Sequence, residues 1–195
     1  MVLPNQYLER PAVIACGDLA LEGLYHRGAR APAALICPAP GPGGGMDAPP
    51  VAELAFACAR AGHASLRFQH RGVGASGGEP DEARATEDAV AALAHLAETA
   101  GARELAVMGF AAGCETALAV ARADERVVAV VLVAPTAEPG LDGVRARVLV
   151  IVPEQGAPAG GGTAGARVEV IQDADPLFVR GLTAMARAAV GFVGR

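Results

Sequence analysis

Short runs of β-branched and aliphatic residues alternate along this chain with longer segments rich in alanine and leucine. That is the pattern of strand–helix–strand units on a mainly parallel sheet. VIACG (13–17) and ALEGLYHRG (20–28) predict two opening strands, paired antiparallel. AALICPA (33–39) predicts a buried strand that runs into a Pro/Gly-rich loop, PAPGPGGGMDAPP. A helix is expected over 51–61 with Gly62 as its C-cap. HASLRFQH (63–70) is the next strand, and the glycine loop RGVGASGGEP follows it. Residues 81–99 predict an amphipathic helix with an acidic head, the charge order that a helix dipole favours. ELAVMGF (104–110) reads as a central strand with a helix over 111–123 behind it. Strands at 127–135, 147–154 and 167–174 and a helix at 176–193 complete the pattern, with a glycine-rich loop at 155–166. The expectation is one α/β domain over residues 1–195, a mostly parallel sheet of about eight strands with helices on both faces. Only residues 136–146 separate two of the late strands, which leaves no room for a lid domain.

Composition narrows the function classes. A chain of 195 residues, 52% of them hydrophobic, is long enough to bury a sizeable core. Its longest apolar runs, such as VVAVVLVA (127–134), fall well short of the roughly 20 residues of a membrane span. The opening MVLPNQYLER shows no basic stretch followed by an apolar one, so no secretion signal and a cytoplasmic location are expected. Net charge is −5, and the 16 basic residues are scattered arginines, which builds no face for nucleic acid. Cys16, Cys37, Cys58 and Cys114 are far apart, and no two histidines have zinc-ligand spacing. No disulfide framework, metal or other cofactor is expected.

The stretch GFAAG (109–113) carries the chemical question. Two glycines flank three residues between a strand and a helix, where a nucleophile elbow, G-x-S-x-G, would present a serine at the edge of a sheet. The middle residue here is Ala111, which has nothing to attack with.

The segments LEGLYHRG, GGGMDAP, LRFQHRGVGASGGEPDEARATEDAVAAL and MGFAAGCETAL with VVAVVLVAP together resemble the small, lidless α/β-hydrolases. That group is related to dienelactone hydrolases and short-chain esterases. Members typically read L-R-F-N-F-R-G-V-G-x-S-x-G where this chain has residues 66–78. The resemblance implies the α/β-hydrolase fold and also says where a Ser–Asp–His triad should stand. Ala111 occupies the serine position. In VIVPEQG, Gly156 falls where the family has its acid, and in DADPLF, Pro176 falls where it has its histidine. The H-P-H-P of the family is Cys37-Pro38-Ala39-Pro40 here. Because serine, base and acid act as a unit, the three replacements imply a hydrolase scaffold without its chemistry. Such a pseudoenzyme would serve as a binding, structural or regulatory subunit for a protein partner or a second copy of itself. It would keep a pocket lined by Cys37, Ala39, Phe110, Ala111, Ala112, His70 and Pro176, less polar than the family's and suited to a small apolar ligand.

Other readings stay open. An enzyme of unfamiliar chemistry would draw on His70, Glu154, Asp173 or Cys114, the last on the first turn of a helix. A serine esterase would have to use Ser65 or Ser76, the two serines in the chain. Ser65 reads as a packing or capping residue in a strand, and Ser76 as turn chemistry. His26 and His63 read as solvated, His95 as the polar edge of a helix, and His70 as a ring packed before Arg71. Asp173 and Asp175 read as solvated loop charges beside the lost histidine.

Overall fold

A computed structural model describes residues 8–41, 44–155 and 165–195. Eight strands form one sheet in the order β1-β2-β4-β3-β5-β6-β7-β8. These are β1 (Glu9–Cys16), β2 (Leu19–His26), β3 (Arg30–Cys37), β4 (His63–Phe68), β5 (Leu105–Phe110), β6 (Val127–Val133), β7 (Arg147–Pro153) and β8 (Arg167–Ile171). β1 and β2 form the expected antiparallel hairpin, β2 runs antiparallel to β4, and every later pairing is parallel. Four helices cover it: α1 (Pro49–Arg60), α2 (Ala85–Ala100), α3 (Gly113–Ala123) and α4 (Leu182–Val193). α2 and α3 pack on one face and α1 and α4 on the other, so each face has its own apolar core. The inner strands are buried on both sides, which is why β5 and β6 read as unbroken apolar runs rather than alternating ones.

Several boundaries differ from the sequence expectation, each for a local reason. β1 begins at Glu9, not residue 13, because Glu9 to Val13 pair with β2 along an edge where polar residues are tolerated. The acidic head of the 81–99 helix is a single 3₁₀ turn, Glu82–Arg84, capped by Asp81, and α2 starts at Ala85. The closing helix starts at Leu182 rather than 176. Phe178 at φ 53 and Gly181 at φ 85 are both left-handed, which the helix cannot accommodate. Asp175 instead accepts the backbone N–H groups of Leu177, Val179 and Arg180. The remaining strands and helices stop or start within a few residues of expectation.

Candidate functional site

The strand-to-helix turn after β5 has the backbone of a nucleophile elbow. Ala111 sits at φ 51, a conformation that costs a non-glycine residue about 1–2 kcal/mol. Two bonds hold it there: its N–H donates to Val133 O at 2.9 Å, and its own C=O accepts from Cys114 N–H at 3.1 Å. Both flanking glycines are required by close approach. A Cβ on Gly109 would lie 2.5 Å from Gly113 O and 2.6 Å from Cys114 Cα. One on Gly113 would strike the carbonyl of Cys37 and lie 2.7 Å from Pro38 O. The turn that would aim a serine hydroxyl out of the sheet therefore aims a methyl group.

Beside the elbow lies a groove of about 530 Å³ between the start of α2, α3 and residues 135–140. Of the expected lining residues only Ala111 and Ala112 face it. Cys37 and Phe110 are buried, His70 is buried, Ala39 is half-buried, and Pro176 stands exposed after β8; none of these five lines the groove. Glu82 from the 3₁₀ turn before α2, Glu115 from α3 and Glu138 from the loop after β6 line it along with alanines and prolines. Arg122 fixes that loop by donating to Asp142 O at 2.9 Å and to Gly140 O.

Each candidate for a relocated catalytic group has a structural occupation. The Cys114 thiol is buried and donates to Gly109 O and Val133 O, and burial pushes its pKa up, away from the thiolate. Burial raises Cys37 as well and pushes Cys58 up to about 12. Ser65 donates to Ala55 O at 3.0 Å and lies 3.3 Å from His26 Nδ1, inside the core. Ser76 accepts the Glu22 N–H and donates to Gln69 O, both at 2.9 Å, which closes the glycine loop. Glu154 accepts the N–H of Asp173, itself at φ 57. Asp175 is held below the usual carboxylate range by the N–H groups of Arg180, Val179 and Leu177. Gly156, expected at the acid position, lies outside the described residues.

The histidines differ from their sequence reading in two cases. His26 and His63 are buried, not solvated, and desolvation lowers both pKa values. His63 Nδ1 is 2.9 Å from Pro32 O, and His26 lies 3.7 Å from Glu9. Both sit where strands meet helix cores, an environment that local sequence does not encode. His95 is half-buried on α2, as expected for a polar edge. His70 is a packed ring, edge-on to Phe68 at 4.8 Å between centroids, with Nε2 3.4 Å from Pro38 O and Nδ1 3.4 Å from Asp88.

Two charge clusters, one wholly buried and one built on the buried Arg67, escaped the sequence reading. Asp88 is wholly buried and takes Arg71 Nε at 2.8 Å, Arg71 Nη2 at 2.6 Å and the Arg71 backbone N–H at 2.9 Å. Burial alone would raise its pKa, but the nearby His70 ring and the hydrogen bonds from Arg71 outweigh that and hold it at about 2. Arg67 donates to Glu9 through Nε and Nη2, and to Met46 O and Asp47 through Nη1, tying β1 to the loop after β3. A signal for the first cluster existed. Asp88 shares the apolar face of α2 with Ala85, Ala89 and Ala92, and a carboxylate on a buried face needs a cation. Among the described residues no group of histidine, cysteine or acidic side chains could hold a metal ion, and no helix is long and apolar enough to cross a membrane.

The sequence profile described as serine aminopeptidase, S33, matches residues 32–155, a span from β3 past the end of β7 that includes the elbow. No curated protein matches. Among solved structures, the chain is similar to an α/β serine hydrolase homologue from Coxiella burnetii, with 22% identity, a TM-score of 0.80 and 99% of each chain covered. It is also similar to a serine hydrolase without a lid from Xanthomonas campestris, at 21% identity and TM-score 0.74, covering 98% of this chain and 97% of that one. A dienelactone hydrolase from Anabaena variabilis superposes with TM-score 0.77 at 22% identity, over 96% of this chain and 97% of the other. At such identities the likeness is one of fold.

Proposed function

The chain belongs to the serine aminopeptidase S33 family of α/β-hydrolases, and from that premise we propose that it works without hydrolysis, as a binding, structural or regulatory subunit. One observation carries this reading. Ala111 holds the strained elbow conformation that presents a nucleophile, yet ends in a methyl group. A fold can outlast the chemistry it once positioned, because fold and site are separable. The proline at the histidine position and the glycine at the acid position support the same reading, since a serine without base and acid is a poor nucleophile.

The competing reading, an enzyme built on His70 or Cys114, has less support. Cys114 would need a lowered pKa and access, and burial opposes both. His70 is enclosed between Phe68, Pro38 and Asp88, with 4% of its surface exposed. The carboxylates in the groove weigh against a purely apolar ligand and favour a protein partner or second copy as the bound species.

A panel of p-nitrophenyl esters and thioesters tests this reading with the wild-type chain and Ala111→Ser. Neither protein should exceed the buffer rate, because the substitution restores a hydroxyl without base or acid. Turnover by the wild type above the buffer rate would overturn the reading, as would substantial turnover from Ala111→Ser alone.

A further inference from the structure

We propose that β8 is a self-association edge, and that two copies of the chain join it antiparallel about a two-fold axis at Val168. β8 is the last strand of the sheet, and among the described residues nothing pairs with its outer side. Ile171 turns its carbonyl inward, where it accepts the Glu154 N–H at 3.0 Å. Strand alternation then points the main-chain groups of Arg167 and Glu169 inward too, and those of Val168 and Val170 outward. Exposed edges of this kind are templates for pairing unless a proline, bulge or covering segment blunts them. The opposite edge strand, β1, contains Pro11, which has no N–H to donate. β8 contains no proline.

The side chains select the partner and the register. Arg167 and Glu169 share one face of β8, with Arg167 Nη2 3.0 Å from Glu169 Oε2. In an antiparallel pair centred on Val168, Arg167 of each copy stands opposite Glu169 of the other. The four charges then alternate in sign around the axis. Centring on Glu169 would set the two Glu169 carboxylates against each other, and centring on Arg167 would do the same with the guanidinium groups. Opposite charges across a strand pair stabilise it, and like charges destabilise it. A register between residues is excluded because it would face an outward main-chain group with an inward one. The register about Val168 alone sets Arg167 against Glu169 in both cross-strand pairs, which favours a second copy of the same chain under two-fold symmetry.

Apolar surface flanks the same edge. Val170, on the other face of β8, is 45% exposed, and Leu177 and Val179 are 66% and 76% exposed. Gly181, directly after that segment, packs against Ala174 and Ile171, which holds it beside the end of β8. A strand pair alone buries too little for a stable dimer, so this flanking surface supplies the rest. The proposal does not depend on whether the elbow is catalytic.

Light scattering after size exclusion, with sedimentation equilibrium across the micromolar range, tests it on the full chain. The wild type is expected at twice the chain mass of 19.5 kDa. Glu169→Arg and Arg167→Glu, each alone, replace attraction by repulsion in both cross-strand pairs. Each should weaken the dimer by about tenfold or more. The double variant Arg167→Glu/Glu169→Arg restores the alternation and should restore the dimer. Val168→Pro removes an outward N–H without removing a ladder bond to β7, and should give a monomer with an unchanged circular dichroism spectrum. A wild-type monomer throughout the range would overturn the proposal. A dimer unmoved by Val168→Pro would overturn it too, and so would failure of the double variant to regain what the single variants lose.

Discussion

Ala111 is the residue at which structure and chemistry separate most clearly. Its left-handed backbone is a demand of the strand-to-helix turn, since the glycines on either side admit no Cβ against α3 and the end of β3. GFAAG made that geometry legible in sequence, because two glycines at that spacing between an apolar run and a helix have few other uses. The strain is a property of the turn and should respond to relief. Replacing Ala111 by glycine removes the left-handed penalty of about 1–2 kcal/mol and adds backbone entropy to the unfolded chain worth about 0.5–1 kcal/mol. Ala111→Gly is expected to be more stable by about 0.5–1 kcal/mol, a rise in melting temperature of roughly 2–4 °C per kcal/mol. A lower melting temperature would show that the turn is not held in the left-handed region. The residues that sequence reading misplaced are those whose surroundings come from distant segments. His63 lies at a strand end beside glycine, a solvated setting by local signs. It is buried because the carbonyls of Arg30 and Pro32 close over it.

At the scale of elements, buried charge ties segments that the apolar pattern treats separately. Arg71, just past β4, reaches Asp88 on α2, and Arg67 on β4 joins β1 to the loop after β3. Buried titratable groups make stability depend on pH in two stages. His26 and His63 have pKa values lowered by burial, so below about pH 6.5 the unfolded chain binds protons that the folded chain refuses. Stability therefore falls as pH drops through that value. Asp88 is held at about 2, below its ordinary 3.8, so its contribution is complete above 3.8 and is lost as pH falls from there toward 2. Thermal melts should be level above about pH 7.5, decline from about 6.5, and steepen below about 4. A melting temperature constant down to about pH 4 would contradict the burial of the two histidines. Element order and sheet class could be read from periodicity, but the start of α4 could not. The chain from Pro176 to Gly181 is diverted from helix by the left-handed Phe178 and Gly181 and by the capping of three N–H groups by Asp175.

For the whole molecule, the sheet, its two apolar layers and the elbow are those of an α/β-hydrolase, and the family match covers the part that would hold the nucleophile. The site was less legible than the fold. Sequence put Ala111 in the turn between β5 and α3, where its backbone is left-handed. It gave no sign that the turn before α2 and the loop after β6 wall the adjoining groove, so that Glu82 and Glu138, 56 residues apart, both line it. That convergence is a tertiary fact. A scaffold that presents no activated nucleophile should resist a fluorophosphonate probe, which labels activated serines covalently. After incubation of the native chain with the probe, intact-mass measurement should show the unmodified protein. A stoichiometric adduct on a single residue of the folded chain, absent after heat denaturation, would contradict it.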